Sequence, residues 1–529
     1  MSFAPPDPTR LTRLRRNLER GFMLLESGDR AAAAAEFRQG LGLDPQNVGC
    51  LVGLARCELE EERHQPARAL AMRALRGRLD SPRAAIELLA LLAQLSESGL
   101  IRDIVRQIPP ERWDSARSLT EVAQILSLMG IHEEARQFIE AAVARGGEEP
   151  ATLVMYATVM LFYGEFDRAY EACERCLRKL PDEASAHWLI SRLRRPDPLA
   201  RVPRIEQALA RTSDLEDRAM LAYALHNELH EAGDYERAWQ ALMEACRAKR
   251  QALAYRPEAM AEIFRLLGGW SREEIRKGDG FLGACPIPIF VIGLHRSGTT
   301  LAERILSGHS QIAQGGETYD VRAQLRRVSG LHYPAEIDPR IIEARSALDY
   351  RAIGEGYVRG IAWRARGKPF VTEKLPSNYF NLGFIARALP EAKFIVLERD
   401  PIDVGLSSLR TLFSHACPYS YDPLDYAQYW HWYQGLMRHW QALVPERILV
   451  IDYQRLVDEP ATVAAEMCGF IGVPFEPEML AIEQRRDAVS TASSVMMREG
   501  IRKDRGRLWT AYARELEPMI EALGRSASA

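Results

Sequence analysis

Residues 289–300 read Ile-Phe-Val-Ile-Gly-Leu-His-Arg-Ser-Gly-Thr-Thr, and an amphipathic run from Leu301 to Leu306 follows. An apolar strand that ends in a glycine- and hydroxyl-rich loop and restarts as a helix aims backbone N–H groups and a helix N-terminus at one point. That is a cradle for an anion. Gly293 and Gly298 have the Gly-x4-Gly spacing of nucleotide phosphate loops, but Thr299 stands where such loops carry a lysine for the β- and γ-phosphates. The missing lysine argues against ATP or GTP hydrolysis. The residues that would hold a different phosphate-type ligand are Gly293, Arg296, Ser297, Gly298, Thr299 and Thr300. Taken alone, the loop also fits a purely structural turn between strand and helix.

The elements around it decide between these readings. From Pro288 onward, apolar strands alternate with amphipathic helices, and the candidate strands are Ile289–Ile292, Pro369–Thr372, Lys393–Leu397 and Ile448–Ile451. This order predicts an α/β domain with a mainly parallel sheet. Ligands of such sheets bind outside the carboxyl ends of the strands, and polar residues fall there. Lys374 follows the second strand in Glu-Lys-Leu-Pro, and Arg399 follows the third in Glu-Arg-Asp-Pro. A guanidinium can fork onto a phosphate, and Ser407, two helical turns further on, can donate to the same group. Each alone reads more readily as a solvated rim residue, but in this order they form a set.

The set resembles the tyrosylprotein sulfotransferase branch of the sulfotransferases, and more closely bacterial fusions of tetratricopeptide (TPR) repeats to such a domain. The resemblance makes Gly293–Leu301 the loop for a 5′-phosphosulfate. It makes Glu317, in Gly-Glu-Thr 21 residues after Arg296, the catalytic glutamate. Lys374 matches the catalytic lysine of a segment usually written Asp-Lys-x-Pro, and Arg399 with Ser407 matches the 3′-phosphate pair. Tyr453 matches a nucleotide-contacting tyrosine, and Ser493 and Arg498 fall in a C-terminal cofactor segment that runs to Trp509. Three positions depart from the pattern: His295 replaces a usual proline, Leu508 stands where a basic residue is expected, and Arg410 lies one position ahead of its expected place.

The resemblance implies 3′-phosphoadenosine 5′-phosphosulfate (PAPS) as donor, no metal, Glu317 as general base, and Lys374 and Arg296 as stabilisers of charge at the transferred group. The acceptor would be a protein or peptide tyrosine, with glycan and small-molecule hydroxyls left open. The competing reading is a TPR scaffold or interaction protein whose PAPS-binding domain is catalytically silent.

The first half of the chain is periodic. Small residues recur at Ala33, Ala67, Ala135, Ala169 and Ala238, at intervals of 34, 68, 34 and 69 residues. A 34-residue period with these landmarks is that of TPR repeats, two antiparallel helices per unit. The clearest units are 14–47, 150–183 and 219–251. Ile101 and Pro203 occupy the alanine slot of degenerate units, where an interruption of the array is expected. The concave groove of such a solenoid binds a protein partner, or the stack is structural or forms a homodimer; both stand. The expected division is an N-terminal tail 1–13, an all-α TPR solenoid 14–264, a linker 265–285 and a P-loop-like α/β sulfotransferase domain 286–529.

Bulk properties exclude other classes. A net charge of −3 over 529 residues lacks the basic footprint of a nucleic-acid binder. No apolar run reaches the length of a membrane span, and the N-terminus lacks an apolar signal segment, so the expected location is cytoplasmic. Eight scattered cysteines form no disulfide framework. The pair Cys173 and Cys176 has metal-site spacing but falls where repeat helices pack, so it reads as core. The aromatic run 426–440 reads as a core helix more readily than as an acceptor pocket. The basic run 498–507 either closes over a 3′-phosphate or is a solvated face.

Overall fold

The computed structural model describes residues 8–77, 79, 81–193, 196–413, 416–485, 487–490, 494–495, 497, 500–501 and 508–524. The chain packs as two compact units: residues 1–145 with 319–334, and residues 146–318 with 335–529. The packing therefore does not divide where repeats give way to the α/β region.

In the first unit the helices come in antiparallel pairs, beginning with Pro8–Glu26 and Arg30–Leu43. The sequence landmarks have physical roles. Gly28, at φ +83°, takes the left-handed turn after the first helix, and Asp29 caps the next by accepting from the Ala32 N–H. Ala33, Ala67 and Ala135 are fully buried, where a larger side chain would hold the helices apart. The degenerate unit with Ile101 still forms its pair, Pro82–Gln94 and Ser98–Gln107, with Ile101 fully buried. No interruption occurs there.

A helix from later in the chain, Asp320–Ser329, completes this unit. Gly330 ends it at φ +78°, and the following strand-like segment pairs with the turn before His64. The His64 N–H donates to Gly330 O and the His332 N–H to Glu62 O, each at 2.8 Å. Arg326 donates to Gln94 O at 3.2 Å and to Tyr333 O.

The second unit opens with more helix pairs. Pro150–Tyr163 pairs with Phe166–Lys179 and Leu215–Glu231 with Tyr235–Leu253, while Ala184–Arg192 and Val202–Arg211 each pack on Leu215–Glu231. Pro203, in the alanine slot, falls in the first turn of Val202–Arg211, where proline is tolerated, but this helix does not pair with Ala184–Arg192. Cys173 and Cys176 are buried, and burial pushes their thiols up to about 12 and about 11. They are core residues.

Residues 265–285 carry the short helix Arg272–Ile275 and buried Trp270, which packs edge-on against Phe384.

The sheet follows. Its strands are β1 (Ile287–Gly293), β2 (Ile312–Ala313), β3 (Phe370–Glu373), β4 (Lys393–Glu398) and β5 (Ile448–Asp452), in the order β2-β3-β1-β4-β5 with every pair parallel. Helices cover both faces of the central strands, which explains why Ile289–Ile292 is uniformly apolar and fully buried. The aromatic helix Pro423–Leu443 buries Tyr426, Tyr429, Tyr433 and Trp440, as a core helix does.

Candidate functional site

Because all five strands are parallel, their carboxyl ends share one edge of the sheet. From β1 the chain runs on to β2 and β3 on one side, and from β4 to β5 on the other, so the crevice opens between β1 and β4. Gly293 ends β1, and Glu317, Lys374, Arg399 and Tyr453 follow the ends of β2, β3, β4 and β5.

The loop after β1 is held close to its neighbours. A β-carbon on Gly293, at φ +154°, would lie 2.7 Å from Leu397 O of β4. A β-carbon on Gly298, at φ +106°, would lie 2.2 Å from the Tyr453 ring. Only glycine fits either place. Arg296 adopts φ +74°, an unfavourable conformation for a residue with a β-carbon and one concentrated at functional sites. The helix Thr299–Leu306 starts directly at the loop's end and buries Thr299. The buried Ser297 hydroxyl has no hydrogen-bond partner among the described residues.

The second part of the site joins two strand ends. Lys374 Nζ donates to Glu317 Oε1; Lys374 is 1% exposed and Glu317 39%. The glutamate's loop is clamped from below. The Lys374 N–H donates to Gly316 O at 2.9 Å, and the Gly315 N–H donates to Thr372 Oγ1 at 3.2 Å. Glu303 Oε1 accepts from the Gly316 N–H and from Thr372 Oγ1, both at 3.0 Å.

Glu303 is a residue the sequence reading missed. It is buried, and burial raises its pKa while Lys374 pulls the other way. Its signal was present, since it shares a helix face with buried Thr299 and Leu306. Glu373, in the aspartate's place before the lysine, is fully buried and accepts from Tyr357 OH at 2.6 Å and Asn378 Nδ2 at 2.7 Å. It anchors the strand end rather than facing the crevice.

The third part is cationic. Arg296 Nε donates to Ser407 Oγ at 3.0 Å, which ties the first loop to the helix Pro401–Leu409 after β4. Arg399 lies with its guanidinium carbon 4.6 Å from the Tyr453 ring centroid and Nη2 3.6 Å from Asp403. Burial first, then Arg399, Arg192 and Arg410, push Arg296 down to about 10. His295 is pushed down to about 4 by burial, with Lys374 and Arg296 adding to it and Glu317 opposing. A cluster of guanidinium groups that disfavour one another is a site short of negative charge.

Arg296, Ser407, Arg399 and Tyr453 thus come together, and Glu317 pairs with Lys374. Ser493 and Arg498 lie outside the described residues, as does most of the basic run 498–507. Among the described residues there is no group of three His, Cys, Asp or Glu side chains that could hold a metal, and no helix long and apolar enough to cross a membrane.

Comparison with known proteins bears on this geometry. Residues 288–477 match the model of the sulfotransferase family, and residues 24–95 match a tetratricopeptide repeat model. The chain is 30% identical over 315 residues to an uncharacterized protein of Aquifex aeolicus, covering 58% of this chain and 41% of that protein. It is 23% identical over 224 residues to protein-tyrosine sulfotransferase A of Caenorhabditis elegans, covering 40% of this chain and 56% of that protein. The chain therefore spans less than two thirds of either relative. Among solved structures, the sulfotransferase domain from the curacin biosynthetic pathway is similar at 20% identity and a TM-score of 0.32, over 46% of this chain and 98% of that one.

Proposed function

We propose that this chain, a fusion of tetratricopeptide repeats with a sulfotransferase-family domain, transfers a sulfuryl group from PAPS to an acceptor hydroxyl. The observation that carries the reading is the contact of Lys374 with Glu317, which puts a cation and a base at one spot from two separate strand ends. A silent scaffold has no use for that pair.

The residues fit the donor. The loop 293–300 offers backbone N–H groups, the hydroxyls of Thr299 and Thr300, and the unpartnered Ser297 hydroxyl to a 5′-phosphosulfate. Arg399 and Ser407 would take the 3′-phosphate, with Tyr453 against the nucleotide. When bound, the donor supplies a sulfuryl group already activated on a phosphate oxygen. Glu317 takes the proton of the acceptor hydroxyl, a role typically worth ~10²–10⁴-fold. The acceptor oxygen bonds to sulfur as the bond from sulfur to the bridging phosphate oxygen breaks. Lys374 and Arg296 stabilise charge on the sulfuryl and bridging oxygens, as cations do in phosphoryl transfer.

Protein or peptide tyrosine is the proposed acceptor, on the similarity to a protein-tyrosine sulfotransferase, and the repeats would recruit the acceptor or a protein partner.

Calorimetric titration with adenosine 3′,5′-bisphosphate, with ATP as control, tests the donor site. Wild type should bind the bisphosphate and not ATP, and Arg399→Ala should lose roughly 10- to 100-fold, the worth of a charged hydrogen bond. Glu317→Ala should bind like wild type yet not turn over tyrosyl peptide. Wild-type binding of ATP but not of the bisphosphate would defeat the reading.

A further inference from the structure

The guanidinium cluster is not supplied by the α/β region alone. Arg192 is the last residue of the repeat helix Ala184–Arg192, and its Nη2 donates to the buried Ser494 hydroxyl at 3.4 Å. Ser494 belongs to the segment that the sequence reading assigned to the nucleotide. The Arg192 guanidinium carbon lies 4.8 Å from the Trp188 ring centroid, so the side chain is directed by a face-on aromatic contact within its own helix. Among the described residues no carboxylate bonds it. Arg192 is close enough to Arg296 to disfavour its charge.

The next repeat helix adds to this. His226, on Leu215–Glu231, is fully buried. Its Nδ1 lies 2.8 Å from Ala238 O, so Nδ1 carries the proton and donates. Its Nε2 is then the acceptor for Arg410 Nε–H at 2.9 Å. Burial, and then Arg410, hold this imidazole neutral, well below its ordinary range. The repeat helices therefore both add a cation to the cluster and fix the direction of another.

A partly buried guanidinium without a carboxylate is costly, and an anion bound beside it offsets that cost. The loop 293–300 already provides for the 5′-phosphosulfate. Arg296 donates to Ser407 and Arg192 to Ser494, and two such guanidinium groups suit a phosphate dianion that one arginine does not neutralise.

We propose that Arg192 is a binding residue for the 3′-phosphate of the donor nucleotide, so that the helical repeats form part of the donor site. This rests on the PAPS reading above.

The test titrates the full chain with adenosine 3′,5′-bisphosphate and with adenosine 5′-monophosphate, in wild type, Arg192→Met and Arg192→Lys. The Met variant should bind the bisphosphate roughly 10- to 100-fold more weakly and the monophosphate as wild type does. The Lys variant, which keeps the charge, should lose less and keep the wild-type dependence on salt. If the Met variant does not fold, the Lys variant read on the two nucleotides decides the matter by the same contrast. Unchanged preference for the bisphosphate in either folded variant, or equal weakening of both nucleotides, overturns the proposal while leaving the donor reading intact. Failure of wild type to bind the bisphosphate overturns both.

Discussion

Gly315→Ala isolates the aim of Glu317 from every other property of the site. A β-carbon at Gly315 would sit 2.0 Å from Thr372 O, whereas β-carbon contacts under 3.0 Å are essentially never seen. Something must therefore retreat by about 1 Å, the difference between those distances. Thr372 does not yield, because it is fully buried in β3, which is held between β2 and β1. The loop moves instead, and it carries Glu317, two residues on, away from Lys374. A 1 Å misplacement in an assembled site costs ~10²-fold in rate, and overpacking costs about 1–3 kcal/mol in stability. Turnover of tyrosyl peptide should fall ~10²-fold or more, while calorimetric binding of adenosine 3′,5′-bisphosphate stays within about twofold. Gly316→Ala is the control. It suffers from φ +77°, but a β-carbon there meets nothing within 4 Å, so its loss should be smaller. Wild-type turnover in Gly315→Ala, with the protein folded, would refute the claim that this clamp sets the base.

Two further outcomes follow from burial. His64 and His332 meet Nδ1 to Nδ1 at 3.4 Å. Burial, followed by His332 and Arg326, pushes His64 down to about 3, and burial with Arg326 and Arg322 pushes His332 down to about 4. The unfolded chain takes up protons near pH 6.5 that these folded imidazoles refuse, so stability is full above that pH. It should decline from there toward pH 4, by up to ~1.4 kcal/mol per pH unit for each imidazole. Urea titrations at stepped pH with His332→Phe measure this; a variant whose acid sensitivity matches wild type would contradict it. Among the thiols, Cys285 is exposed and the other seven are buried. A thiol reagent should label one cysteine per native chain and all eight only in denaturant, and rapid native labelling of Cys173 or Cys176 would count against their core placement.

The loop 293–300 was legible because its signal is local: a strand, fixed glycine spacing and a helix lie within one short stretch, and the parallel order of strands then places Lys374, Arg399 and Tyr453 on one edge. β2 was not, since two residues, Ile312 and Ala313, carry no periodicity. The degenerate unit with Ile101 was misjudged because its alanine slot is a packing position. Ile101 fills that slot fully buried. Glu303 went unread because its partners, Gly316 and Thr372, lie 13 and 69 residues away. Arg192 and His226 were invisible for a different reason. Their partners, Ser494 and Arg410, are 302 and 184 residues away, and no pattern within a repeat encodes that distance.

The late helix Asp320–Ser329 has a consequence for synthesis. The first unit comprises residues 1–145 and 319–334, so 174 residues separate the last of its early helices from Tyr319. At ~5–20 residues per second, the ribosome takes roughly 10–35 s to cross that interval. Throughout it the turn at Glu62–His64 waits for the backbone of Gly330 and His332, and Gln94 O waits for Arg326. The nascent repeats emerge as an array with one face still open, which chaperones or a neighbouring nascent chain can reach before the chain's own segment arrives.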